Sequence, residues 1–126
     1  MSKPNIRFAL MALLFLFSLR GFCQNDIDVW QDEGKPDSVR LKAITEQIGL
    51  VRDPDSILLL IQEELELARK LNNLLYQSDA LQRFGTIYYR QGLNEMVLKY
   101  DTLRLNVMLE IGDSIGIAQC YNNVGI

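Results

Sequence analysis

The punctuation of this chain recurs at a fixed spacing. Leu71-Asn72-Asn73 and Ile111-Gly112-Asp113 match at an offset of forty residues, Asn73 and Asp113 each standing where a helix can start. The stretches ALQRFG (80–85) and CYNNVG (120–125) repeat that offset, aligning Leu81 with Tyr121, Phe84 with Val124 and Gly85 with Gly125. Ile57 and Ile61 align best with Met96 and Tyr100 at an offset of 39, one residue having been lost near Gly92. Periods of this size belong to units that bury their apolar faces only against neighbours.

Each unit reads as helix. Residues 38–49 carry apolar side chains at Leu41, Ile44 and Ile48, a helical stripe that Gly49 is expected to end. In DPDSILLLIQEELELARKLNN, Asp53 is expected to cap a helix with Pro54 at its first position. Ile57, Leu60, Ile61, Leu67, Ala68 and Leu71 share one of its faces, and Arg69 and Lys70 sit in the last turn, where cations favour the helix dipole. Asn73 starts the next helix, with Leu74, Leu81, Phe84 and Tyr88 inward and Gly92 at the end. Met96, Tyr100, Leu103, Val107 and Ile111 line one side of a fourth, which Gly112 stops and after which Asp113 caps a fifth. No segment alternates with the period of a strand.

The connections are a few residues long, so successive helices form antiparallel hairpins. Each hairpin alone exposes an apolar side, leaving a closed bundle or a stack of hairpins. The forty-residue period selects the stack.

LQRFGTIYYRQG, 81–92, resembles the first helix of a tetratricopeptide repeat: Leu81, Phe84, Gly85, Tyr88 and Gly92 fill the family's spacing of large apolar, glycine, tyrosine and glycine positions. Residues 53–73 resemble a family second helix, and GDSIGIAQCYNNVG resembles the start of a further repeat in the forty-residue variant common in exported bacterial signalling proteins. The similarity covers residues 38–126. It departs from the pattern where the family prefers small residues and this chain has Ile57, Glu64, Met96 and Leu103, and Thr45 stands where a first-hairpin glycine would be. The implied fold is all-α: antiparallel hairpins stacked as an α-solenoid, with the last repeat incomplete at the C-terminus, as in the N-terminal piece of a longer protein. The resemblance also implies that Gly85 faces the partner helix of its own hairpin. Close packing there would offset the roughly 1 kcal/mol a mid-helix glycine costs relative to alanine.

Residues 1–23 read as a secretory signal. Lys3 and Arg7 precede the twelve apolar or small residues Phe8–Leu19, too short a run for a membrane span, and Gly21 and Cys23 are small residues two apart. Cleavage after Cys23 is expected, against an uncleaved anchor or a lipid-modified Cys23. Loss of Lys3, Arg7 and Arg20 takes the net charge from −3 to −6. Residues 24–37 then form an acidic, flexible leader with five acids and one lysine, in which Trp30 is placed to dock on the first helix.

An acidic chain is a poor ligand for nucleic acid. The absence of histidine removes the commonest general base, its nucleophile pairings and imidazole metal ligands. Glu63, Glu64 and Glu66 are expected to spread over a solvated face, and Asp53 and Asp55 to serve a helix start rather than a metal. Cys120, alone after cleavage, reads as a buried small hydrophobe rather than a reactive thiol. No catalytic, cofactor-binding or metal site is expected, no small-molecule substrate, and no membrane contact beyond the signal segment or a missing C-terminal part.

Members of the resembled family bind extended peptides or partner helices along a face lined by first helices. By resemblance, those positions here are Asp79, Gln82, Thr86, Tyr89 and Arg90, then Asn122. Only Arg83 and Asn123 approximate the family's carboxylate clamp, so peptide C-termini are not the expected ligand. The chain is thus expected to be an exported, non-catalytic module for a protein or peptide partner, on the periplasmic or extracytoplasmic side. The alternative is the sensor region of a longer membrane signalling protein, a histidine kinase or a helix-turn-helix regulator.

Overall fold

The computed structural model describes residues 29–125. Among them are five α-helices and no strand: α1 (Asp37–Leu50), α2 (Pro54–Lys70), α3 (Leu74–Arg90), α4 (Asn94–Ile111) and α5 (Ser114–Val124). The expected signal, 1–23, lies outside the described residues. The chain divides into two compact units within α2, the first ending at Glu63 and the second beginning at Glu64.

In the first unit the expected loose leader is not loose throughout. Val29 to Lys35 runs in turns, closed by Asp32 N to Val29 O at 3.3 Å and Lys35 N to Asp32 O at 3.0 Å. Trp30 is buried, and its carbonyl accepts from Arg40 Nε at 3.0 Å. Arg40 is itself buried, with Nη1 on Asp37 Oδ1 at 3.1 Å and Nη2 facing Glu63 Oε1 at 3.7 Å. A buried guanidinium needs such partners. It therefore ties the leader and α1 to the glutamate of α2. Leu41, Ile44, Leu60 and Ile61 are buried, while Ile48 is half-buried. Gly49 does not end α1. The helix runs on to Leu50 and stops at Val51, whose backbone is extended. The Asp53-Pro54 pair disfavours helical backbone just beyond, so Gly49 need not adopt a left-handed conformation.

The local signals for the other ends act as the sequence implies. Asp53 Oδ2 accepts from Ser56 N at 3.0 Å and from Ser56 Oγ at 2.7 Å, and Pro54 follows at the first helical position. Asn73 accepts from Tyr76 N at 3.2 Å and Asp113 from Ile115 N at 3.1 Å, each satisfying a backbone N–H that a helix start leaves without an intrahelical partner. Just before those caps, Asn72 (φ 52°) and Gly112 (φ 78°) both adopt the left-handed conformation. After α2, Asn73 N reaches Ala68 O at 2.8 Å and Asn72 N reaches Arg69 O at 3.0 Å. After α3, Leu93 N and Gly92 N make the same pair of bonds to Tyr88 O and Tyr89 O. This is the crossed bonding that turns a chain sharply out of a helix.

In the second unit, α3 packs on α4 and α4 on α5. Phe84 stacks on Tyr100 with ring centroids 4.6 Å apart, and Tyr100 on Tyr88 at 5.5 Å. Leu105, Met108 and Cys120 form a buried cluster flanked by Ile111 and Ile117. Met108 can approach α5 closely because residue 116 is glycine: a Cβ there would lie 1.9 Å from its Cε.

Two expectations need correction. On α4 the stripe Met96, Tyr100, Leu103, Val107 and Ile111 is only half-buried; the buried line is Asp101, Arg104, Leu105 and Met108. The helix is turned so that a polar edge lies inside, which apolar periodicity alone does not detect. Glu63 and Glu64 are not on a solvated face. Both are buried, and Arg40 and Arg83 respectively balance their charges; only Glu66 is exposed.

Candidate functional site

The seven-residue spacings along α3 order its surface into lines about two turns long. Leu81 and Tyr88 lie on the line facing α4, Leu81 buried and Tyr88 half-buried. The next line is Ser78 and Gly85, both buried. Beyond it come Gln82 and Tyr89, then Asp79 and Thr86 with Arg90, all exposed. The five α3 residues expected at a binding face therefore share one open side of the helix. Asn122 is likewise exposed on α5.

That open side is not uniformly polar. Tyr89 is 72% exposed, and Leu75, one turn before Asp79, is 66% exposed. Ile115, forty residues after Leu75, is 73% exposed on α5. Among the polar residues, the Thr86 hydroxyl is occupied by its own helix, donating to Gln82 O at 3.0 Å. Arg83 is turned away to Glu64, in the first turns after the unit boundary, so it is not available as a clamp residue.

Behind the open face lies a group of polar side chains that sequence reasoning passed over. Asp101 and Arg104, one turn apart on α4, are each 8% exposed. Asp101 approaches Gly85 so closely that a Cβ there would be 3.0 Å from Oδ1. Arg104 Nε donates to Ser78 Oγ at 3.3 Å, and Ser78 Oγ donates to Met108 Sδ at 3.1 Å. Desolvation holds the Asp101 carboxyl above its usual value, with the Arg104 charge opposing the shift. Burial likewise pushes the Cys120 thiol up, opposed by Arg104 and reinforced by Asp101, which places α5 at the same junction. The one sequence signal for this group was Gly85 itself, a glycine whose neighbour had to come from another helix.

The aromatic stack closes the side of the hairpin next to this junction. Burial raises the Tyr88 hydroxyl above its ordinary value, with the neighbouring Tyr100 adding to the shift. Lys99 Nζ lies 5.5 Å from the centre of the Tyr100 ring, within reach of a cation–π attraction. Among the described residues no three or more His, Cys, Asp or Glu side chains are grouped to hold a metal ion, and no helix is long and apolar enough to cross a membrane.

Compared with known proteins, the chain matches no family model, no curated protein and no solved structure.

Proposed function

We propose that the chain is an exported, tetratricopeptide-like interaction module that binds a protein or peptide through the open side of α3 and through α5, the first helix of the following hairpin. The observation that carries this reading is the uncovered face itself: Tyr89 and Leu75 stand open beside Gln82, Thr86, Asp79 and Arg90 on a helix whose opposite side is packed. An aromatic among uncharged and mixed polar groups suits a peptide laid along a helix, supplying contact area and hydrogen bonds together. The repeat reading is supported by the backbone. A left-handed residue followed by a side-chain cap occurs at Asn72-Asn73 and again at Gly112-Asp113, and Gly85 faces the second helix of its hairpin. The role is binding rather than catalysis, and it is exercised outside the cytoplasm once residues 1–23 are removed.

Fluorescence anisotropy with a pool of labelled random peptides of about nine residues tests this. The wild-type chain binds the pool, and Tyr89→Ala weakens binding by at least about fivefold, the scale of losing an interfacial aromatic anchor. Its helical circular dichroism stays unchanged. A pool that does not bind, or binds the variant equally well, contradicts the reading.

A further inference from the structure

The stretch before α1 folds back on that helix through one aromatic side chain and one backbone carbonyl. The Trp30 indole is buried, and Trp30 O accepts from Arg40 Nε at 3.0 Å. The turn bonds that shape the stretch are internal to it: Asp32 N to Val29 O at 3.3 Å, Lys35 N to Asp32 O at 3.0 Å, and Gly34 N to Asp32 Oδ1 at 2.9 Å. They survive if residues 29–35 lift away as one body.

Two features of the contact favour release. The indole Nε1–H is buried, and no acceptor among the described residues reaches it. A buried donor without an acceptor is destabilising, and water satisfies it on exposure. At the other point of contact, Arg40 gives up only Trp30 O. Its guanidinium keeps Asp37 Oδ1 at 3.1 Å and Glu63 Oε1 at 3.7 Å, so no buried cation is stranded by the departure. Burial of the large apolar indole opposes release and holds the contact closed. The backbone freedom that residues 29–35 regain on leaving works against it.

The start of α1 does not depend on the contact. Pro36 is extended, with φ −55° and ψ 141°, and its carbonyl accepts from Val39 N at 3.0 Å and Arg40 N at 3.1 Å. The first turn of the helix is therefore anchored at Pro36, downstream of the turns. We infer that residues 29–35 form a strap, hinged at Pro36, that opens and closes over Arg40 while α1 and α2 stay folded. Closed, the strap shields the Arg40 guanidinium and the indole together. Open, it presents the single tryptophan of the chain to solvent and leaves Arg40 on its two carboxylates. The strap is a cover built into the first unit, and it stands independently of the peptide-binding reading.

Proton exchange in the full, isotopically labelled chain tests this. Trp30 gives the one indole N–H signal, since the chain has a single tryptophan. Relative to their intrinsic rates, that proton exchanges at least about tenfold faster than the Leu41 and Ile44 amides of α1, because lifting the strap is a smaller opening than unfolding the helix. In Trp30→Ala the helical circular dichroism is retained, and the Leu41 and Ile44 amides exchange within about tenfold of their wild-type rates. An indole proton less than about tenfold faster than those amides shows that the strap moves only with α1, and overturns the hinge. A Trp30→Ala chain that fails to fold, or whose Leu41 and Ile44 amides accelerate by more than about tenfold, also overturns it, because the indole is then a member of the core.

Discussion

Gly85 stands against Asp101, with room for a hydrogen but not comfortably for a methyl: a Cβ on Gly85 would come within 3.0 Å of Asp101 Oδ1. The glycine in the middle of α3 is therefore matched to a carboxylate on α4. Two opposing effects meet at this position. Alanine gains about 1 kcal/mol of helix propensity over glycine, but its methyl must displace a buried acidic group.

Gly85→Ala is accordingly expected to be near neutral in urea unfolding, and Gly85→Leu to lose more than about 1 kcal/mol through overpacking. With Asp101→Ala as background, Gly85→Ala becomes stabilising by about 1 kcal/mol, because only the propensity gain remains. Equal effects of Gly85→Ala in the two backgrounds would show that the two residues are not coupled.

Asp101 should also make stability depend on pH. Its folded carboxyl titrates above the unfolded one because burial disfavours the charge. The folded state then holds its proton more tightly. This contribution is fully present below the unfolded value and is lost as pH rises through the folded value. Asp101→Asn removes the titration. Relative to the wild type, the variant gains stability as pH climbs from about 4, the ordinary aspartate value, and the gain levels off above the raised value. Urea midpoints measured across this range check the sign; a gain that grows toward acid contradicts it.

Asp53 behaves in the opposite sense. Its hydrogen bonds from the Ser56 hydroxyl and backbone hold the carboxyl below the usual range. Its cap stabilises α2 above the unfolded value and is lost as pH falls through the folded value. Proton-detected titration of the Ser56 amide reads this, with a midpoint lower than in Ser56→Ala. Identical midpoints would show that the serine does not bond the charged cap.

Glu64 and Arg83 make a test of buried charge. Glu64 is fully buried and Arg83 is the arginine that faces it. Arg83→Met is expected to cost about 3 kcal/mol, because the carboxylate is left inside without that cation. Adding Glu64→Leu restores most of the loss. A double variant no more stable than Arg83→Met would mean the pair contributes little.

How much of this was legible depended on how far the determining contact lies along the chain. Asp53, Asn73, Gly92, Gly112 and Asp113 mark helix ends through bonds to residues within one or two turns, so the sequence carries them openly. Glu63, Glu64, Asp101 and Arg104 were opaque for the opposite reason. Charged side chains read as solvent-facing, and what keeps them inside (Arg40, Arg83, Gly85 and Ser78) comes from other helices. On α4 the apolar line through Tyr100 and Val107 carried the clearer periodicity, and it concealed the mixed line through Asp101 and Met108 that is buried. The face of α3 carrying Asp79, Gln82, Thr86, Tyr89 and Arg90 was named only through the family resemblance, whereas Leu75 and Ile115 gave no sign of standing open, since apolar residues at those places also fit a core.

The reactivity of Cys120 follows from its burial and raised thiol. In a Cys23→Ser chain, its alkylation by iodoacetamide should be roughly a hundredfold slower in buffer than in urea. Equal rates would place the α4–α5 junction open to solvent.

The most direct measurement is a map of backbone amide shifts in the isotopically labelled chain as the random peptide pool is added. The account predicts changes concentrated at Asp79, Gln82, Thr86, Tyr89, Arg90 and Asn122. No change, or changes confined to the outer side of α4 around Leu98 and Leu109, contradicts it.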